Sequence, residues 1–318
     1  MMAKQKVLKK INPSNPSAAH YKHLSPFAKE LFRKSFKIMA KKKCIIVVGP
    51  TAAGKTAEAI RIAKELGTEI ISADSRQCYR EMNIGVARPT TEELATVQHH
   101  FIATHSVTEK VTAATFEKEA LAALEKIFLN HDVAVICGGT GLYIKALVEG
   151  LDQIPEIPDE IRAQAISLFK EKGIAGLREN LLSLDHEFAE KGDASNPNRM
   201  MRALEVVMHT GRPIQQFQTG EKLKRAFEVE YVMLDLPREL LYERINIRVD
   251  NMIASGLEDE VRSLIQHKNL PALKTVGYNE MIDFIEGRCP KEEAIEKIKQ
   301  HTRNYAKRQL TWFKKFAI

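Results

Sequence analysis

The rhythm of apolar positions changes twice along the chain. Between Cys44 and Gly150, short unbroken apolar runs alternate with segments whose apolar residues return every three or four positions. CIIVV (44–48), TEIISA (68–73) and VAVIC (133–137) are short and mostly β-branched, which predicts buried parallel strands. TAEAIRIAKELG (56–67), TAATFEKEALAALEKIFLN (112–130) and GLYIKALVEG (141–150) predict helices, stopped by Gly67 and near Gly150. This alternation predicts an α/β sheet rather than an all-helical or all-strand fold.

From Leu151 to about Gly220 the strands disappear. IPEIPDEIRAQAISLFKEKG, GLRENLLSLDHEFAEKG and NPNRMMRALEVVMHTG are helical stretches separated by glycine and proline. VEYVMLDLP (229–237) restores a strand, and LYERINIRVDNMIASG opens a basic helical C-terminal section. The chain leaves a sheet and returns to it. The expected organisation is a core of residues 41–150 and 221–318 with an all-helical insertion at 151–220. Residues 1–40 hold the turn segment NPSNPS and no sustained apolar period, and read as a poorly ordered basic extension.

Composition narrows the class without naming a function. With 44% hydrophobic and 28% charged residues, the 318-residue chain is an ordinary globular protein with room for two domains. No apolar stretch approaches the roughly 20 residues needed to span a bilayer, and no secretory leader is legible, so a cytoplasmic protein without a membrane partner is expected. The four cysteines are scattered and contain no C-x-x-C pair, which argues against a zinc site or disulfide framework. A net charge of +7 favours a polyanionic partner but identifies none.

GPTAAGKT (49–56) carries the first chemistry. Gly49, Pro50, Thr51, Ala52, Ala53, Gly54, Lys55 and Thr56 complete the G-x-x-x-x-G-K-[ST] pattern between a strand and a helix. Such a loop converges backbone N–H groups on phosphate at a helix start, adds the lysine charge, and offers a threonine hydroxyl to Mg²⁺. The fold expectation is therefore α/β with a P-loop parallel-sheet core and an inserted all-helical domain. A nucleoside-triphosphatase would place a carboxylate at the end of a later strand; VAVIC runs instead into GGT, and Asp132 precedes the strand. Asp74, just after TEIISA, is the carboxylate at a strand's C-terminal edge, where α/β sheets border their ligands. A capping role for SRQCYR is its structural alternative.

Several further segments occur in a telling order: ISADSRQCYREMNIGVARP, GGTGLYIKAL, NRMMRALEV and VGYNEM follow the loop. Together they resemble the tRNA dimethylallyltransferase family, in its bacterial form, from about Lys42 to the C-terminus. The resemblance implies transfer of a dimethylallyl group from dimethylallyl diphosphate to N6 of adenosine 37 in the tRNA anticodon stem-loop, with diphosphate released. On that reading the loop holds the diphosphate of the isoprenoid donor, Mg²⁺ is the cofactor at Thr56, and the protein acts as a monomer.

The same resemblance implies site roles. Asp74 would be the base for the adenine amine, with Lys55 compensating charge on the leaving group and Thr140 of GGTG close to donor and acceptor. Arg244 and Arg248 share a helical face, and one of them would reach the diphosphate; the sequence does not choose between them. Asp74, Ser75, Arg76, Gln77 and Thr140 would meet the target nucleotide. Asn198, Arg199, Met200, Met201 and Arg202 would form a second tRNA contact, with Met201, Leu204 and Val207 facing the helix core. Lys274, Thr275, Val276, Gly277, Tyr278 and Asn279 would form a third, although the family pattern ends that stretch in arginine. In the tail RNYAKRQLTWFKKF, Tyr305, Trp312 and Phe313 suit either packing or RNA contact. Rival readings are an adenylate isopentenyltransferase, a P-loop kinase or NTPase, and a non-enzymatic RNA-binding protein.

Overall fold

The computed structural model describes residues 42–191 and 195–316. The basic extension expected at 1–40 lies outside the described residues. The described chain divides into two compact units: one formed by residues up to Ile144 together with Arg225 onward, the other by Lys145–Lys224.

The first unit is built on five parallel strands. These are β1 (Lys42–Val48), β2 (Ile70–Ser72), β3 (His99–His100), β4 (Val133–Cys137) and β5 (Phe227–Met233), in the spatial order β3-β2-β4-β1-β5. Cys44 pairs with Ala134 of β4 on one side and Val229 of β5 on the other, so β1 is central. Its last three residues, Ile46, Val47 and Val48, are all fully buried, as a strand covered on both faces requires. Helices α1 (Lys55–Leu66), α2 (Thr91–Thr96) and α3 (Ala113–Asn130) join the strands. Ala59, Ile62 and Ala63 of α1 pack on Val47, Ile70 and Val135. Gly67 closes α1 in the left-handed conformation, and Thr112 opens α3 with a side-chain cap on the Thr115 N–H.

Helix α4 (Gly141–Glu149) crosses the division between units at Ile144. The second unit is helical: α5 (Asp159–Leu184), α6 (His186–Lys191) and α7 (Pro197–Thr210). Its core joins Ala165, Leu177 and Leu181 to Met200, Ala203 and Leu204. Gly173, with φ 62° and ψ −155°, interrupts α5 where the sequence separates two stretches.

The sheet unit is completed by α8 (Arg238–Ala254), α9 (Leu257–Ser263), α10 (Tyr278–Ile285) and α11 (Lys291–Phe316). Leu241 and Ile245 of α8 pack on Ala306 of α11. That packing lays α11 beside the phosphate loop.

Candidate active site

Strand β1 ends at Val48, and the loop begins with Gly49 at φ 143°, where a Cβ would collide with the Leu234 carbonyl. Gly54 is left-handed at φ 93° and caps α1 with no side-chain hydrogen bond. The first N–H groups of α1 are therefore left for an anion, reinforced by the helix dipole. Lys55 Nζ donates to the Pro50 carbonyl at 2.7 Å. Burial pushes its ammonium down to about 8; Cys137 and Asp74 oppose the shift and Arg248 adds to it.

Two cavities lie on this edge of the sheet. The phosphate cavity is lined by Thr51, Ala52, Gly54, Lys55 and Thr56 of the loop, with Asp74, Gln77, Cys137, Arg248 and Gln309 among the residues around it. The other cavity is lined by Asp74, Ser75 and Arg76, by Lys274, Thr275, Val276, Gly277 and Asn279, and by Arg248 and Arg308. Thr51, Asp74, Val86, Arg248 and Tyr305 line both. Asp74 thus stands where phosphate and a second substrate can meet.

Asp74 takes the capping role that the sequence offered as its structural alternative. Its Oδ1 accepts the N–H groups of Arg76 at 2.8 Å and Gln77 at 3.2 Å, which fixes the carboxylate at the turn. Its other oxygen makes no hydrogen bond to a described residue, leaving an acceptor in the shared lining. Arg248 Nη1 donates to Thr51 Oγ1 at 3.3 Å. Burial lowers the Arg248 pKa, and the nearby carboxylates of Asp74 and Glu93 pull it back. Cys137 ends β4 where a nucleoside-triphosphatase would carry a carboxylate; burial pushes its thiol up to about 11, with Lys55 opposing and Asp74 adding, so it stays neutral.

The structure narrows one open choice and alters the setting of other expected site residues. Arg248, not Arg244, lines the phosphate cavity; Arg244 is exposed one turn earlier on α8. Thr140 follows Gly139 of the phosphate cavity; its hydroxyl accepts the Ser75 N–H at 3.1 Å and donates to Ser75 Oγ at 3.3 Å, so it holds Ser75 beside Asp74. Tyr278 is fully buried, its ring filling the space beside Gly85 and its hydroxyl donating to Glu260 at 2.5 Å. That leaves it no surface for RNA. Met200 is likewise fully buried in the helical unit, which leaves it no surface for RNA; Leu204 and Val207 are buried in the same core and Met201 packs against it, as the expected helix face requires.

Gln77 is also more occupied than the sequence implies. Its Nε2 donates to the Val86 and Ala87 carbonyls at 3.3 and 3.0 Å, and its Oε1 accepts from Ser72 at 3.2 Å. In the helical unit, Asn198 and Arg199 are exposed at the start of α7, where Asn196 Oδ1 accepts both their N–H groups. Arg202 is held by the buried Glu205 at 3.2 Å, which also faces Arg162 at 3.6 Å.

Two residues that the sequence did not single out shape the site. Gln309 of α11 bridges the loop and the GGTG turn, and Glu260 of α9 accepts the N–H groups of Asn83, Ile84 and Gly85 at 2.9, 2.7 and 3.0 Å. Both act across long sequence separations, so no local pattern marks them. The GGT turn itself is explained by crowding: a Cβ at Gly138 would overlap the Ala73 carbonyl.

Among the described residues no group of three or more His, Cys, Asp or Glu could hold a metal. Thr56 and Asp74 do line one cavity with the loop. With Glu93 also in the lining, this oxygen set would suit Mg²⁺ carried largely on a bound phosphate and its waters.

A parallel sheet with a glycine-rich anion loop at its strand ends, beside a second cavity with a basic lining, defines the class as a P-loop fold. Residues 77–316 match the model of the IPP transferase family, and the chain belongs to that family. It is 47% identical over 276 residues to a protein of Cytophaga hutchinsonii named tRNA dimethylallyltransferase, covering 87% of this chain and 91% of that one. A protein of the same name from Christiangramia forsetii is 47% identical over 271 residues, covering 85% and 90%. Among solved structures, the tRNA delta(2)-isopentenylpyrophosphate transferase of Staphylococcus epidermidis is 36% identical with a TM-score of 0.61, covering 86% of this chain and 90% of that one. The full-length tRNA isopentenylpyrophosphate transferase of Bacillus halodurans is 35% identical with a TM-score of 0.62, covering 86% and 87%. No helix among the described residues is long and apolar enough to cross a membrane.

Proposed function

We propose that this chain transfers the dimethylallyl group of dimethylallyl diphosphate to N6 of adenosine 37 in tRNA, releasing diphosphate. The observation that carries the reading is the shared lining of the two cavities, with Asp74 and Arg248 at the junction. The names of the relatives at 47% identity support the same substrates.

The exocyclic amine of adenine is a poor nucleophile because its lone pair is delocalised into the ring. Asp74 accepts one amine proton as N6 forms its bond to C1 of the isoprenoid. The C1–O bond breaks and its electron pair leaves on diphosphate. Lys55, Arg248 and the N–H groups at the start of α1 stabilise the charge that builds on that leaving group. Mg²⁺ held by Thr56 and the diphosphate would neutralise part of the same charge. The basic lining of Arg76, Lys274 and Arg308 suits the phosphates flanking a nucleotide drawn into the second cavity. Exposed Asn198 and Arg199 and the Glu205-held Arg202 supply a further contact for tRNA. The tRNA substrate supports a cytoplasmic location.

Mass spectrometry of tRNA nucleosides after incubation with dimethylallyl diphosphate and Mg²⁺ tests the reading. A C5H8 gain on adenosine, with diphosphate released, is expected. Exclusive modification of free AMP would instead select the adenylate reading, and γ-phosphate release from ATP without alkylation would select a kinase or NTPase.

A further inference from the structure

Two stretches of the second cavity's lining come from distant parts of the chain. Gly85, Val86 and Ala87 supply one, and residues 274–277 with Asn279 supply the other. Both are tied to one side chain, Glu260 of α9. Its Oε2 accepts the N–H groups of Asn83 and Ile84 at 2.9 and 2.7 Å, and its Oε1 accepts the Gly85 N–H at 3.0 Å. The same Oε1 accepts the Tyr278 hydroxyl at 2.5 Å. Tyr278 is fully buried between Gly277 and Asn279 in sequence, and a Cβ on Gly85 would come within 2.5 Å of its ring. Burial and the facing Glu260 push its phenol up, so the hydroxyl stays a donor.

Each stretch leads on to a group that the reaction needs. The Val86 and Ala87 carbonyls accept Gln77 Nε2, and the Gln77 N–H is held by Asp74 Oδ1 at 3.2 Å. In the other stretch, Glu280 Oε2 accepts the Gly277 N–H at 2.7 Å where α10 begins. The turn beside the base and the segment of Lys274 and Asn279 therefore meet at Glu260. A carboxylate suits this joint because both its oxygens accept, and its charge strengthens each bond. A glutamine there would keep one oxygen and turn an N–H₂ group toward donors.

We infer that Glu260 is a positioning residue for the acceptor, holding these two stretches in the spacing that admits the target nucleotide. The inference rests on the proposed transfer, in which the second cavity receives the adenine. Glu260 acts through the backbone and the tyrosine it holds. Its loss should weaken the fit of tRNA and leave the phosphate loop, Lys55 and Arg248 as they are.

The experiment measures KM for tRNA, donor Kd and the active fraction by single-turnover burst in the wild type, Glu260→Gln and Tyr278→Phe. In Glu260→Gln, KM for tRNA should rise roughly tenfold or more, as expected when hydrogen bonds to a charged group are lost. Donor Kd should stay within about twofold of the wild type. Tyr278→Phe removes a single bond to the carboxylate and should raise KM in the same direction by a smaller factor. A carboxylate that served stability alone would lower the melting temperature and the active fraction, with KM unchanged in the surviving enzyme; that result overturns the inference. A donor Kd weakened as much as KM overturns it too. If Glu260→Gln does not fold, Tyr278→Phe decides: an unchanged KM overturns the inference, and a raised KM with donor Kd retained upholds it. A wild type that alkylates no tRNA refutes the proposed function instead, so the two failures are distinct.

Discussion

Gln309 Oε1 accepts the backbone N–H of Thr51 at 2.8 Å, across 258 residues of sequence. Its Nε2 donates to the Gly139 carbonyl at 2.9 Å, so one side chain, only 6% exposed, ties the phosphate loop to the turn that carries Thr140. Thr140 in turn holds Ser75 beside Asp74. The phosphate loop and the Asp74 turn are thereby linked through three hydrogen bonds and the peptide links between their residues.

Gln309→Met keeps most of the volume and removes both bonds. The Thr51 N–H and Gly139 C=O lose their partners, at a cost of roughly 1–3 kcal/mol for each buried group. Chemical denaturation should show that loss. The folded fraction should also transfer more slowly, because loop and base no longer share one brace. Unchanged stability and unchanged single-turnover transfer would leave Gln309 without this role.

Asp74→Asn preserves the oxygen that accepts the Arg76 and Gln77 N–H groups and removes the capacity to take a proton. Single-turnover transfer should fall roughly 10²- to 10⁴-fold, the range for a positioned proton-transfer group. Donor Kd should change little, because the loop and Lys55 remain. Near-normal transfer would remove Asp74 as the base. A loss of donor binding as deep as the loss of transfer would make it an organiser of Mg²⁺.

The lowered Lys55 pKa, about 8, gives donor binding a pH dependence. Below that value the side chain is an ammonium and attracts diphosphate; above it, binding must first draw a proton onto the amine. Affinity should therefore weaken as pH rises through 8, by up to about tenfold per unit. Titrating donor Kd from pH 6.5 to 9.5 in the wild type and Lys55→Met checks the sign. The variant should bind more weakly at low pH and approach the wild type at high pH; parallel curves would show that another group titrates.

How much of this was legible beforehand depends on where each cause lies. VAVIC gave β4 its observed bounds, because Asp132 and Gly138 punctuate a five-residue apolar run. The two residues of β3, His99 and His100, have no such run; they are strand only because Ile70 and Ile71 of β2 pair with them. The face of Met201, Leu204 and Val207 was legible from its spacing, whereas the burial of neighbouring Met200, about 100° further round the helix, depends on how widely the other helices of the unit cover it. The loop and Asp74 were legible because each sits in a local pattern. Gln309 and Glu260 were not, since everything they hold lies more than 150 positions away, Tyr278 excepted.

Arg244 and Arg248 looked equivalent in sequence, and the structure separates them into a sharp comparison. Arg248 reaches Thr51 and lines both cavities; Arg244 is exposed and lines neither. A hydrogen bond to a charged group contributes about 1.5–3 kcal/mol, so Arg248→Ala should raise donor Kd roughly ten- to hundredfold. Transfer should slow as well, because the same charge stabilises the departing diphosphate. Arg248→Lys should recover only part of the loss, since a lysine lacks the planar fork that can hold Thr51 and a phosphate oxygen together. Arg244→Ala should leave donor Kd within about twofold, as expected for an exposed side chain with no part in the cavity. Isothermal titration with dimethylallyl diphosphate and Mg²⁺, followed by single-turnover transfer to tRNA, separates these outcomes. Equal losses at both positions would mean that the exposed arginine also reaches the donor.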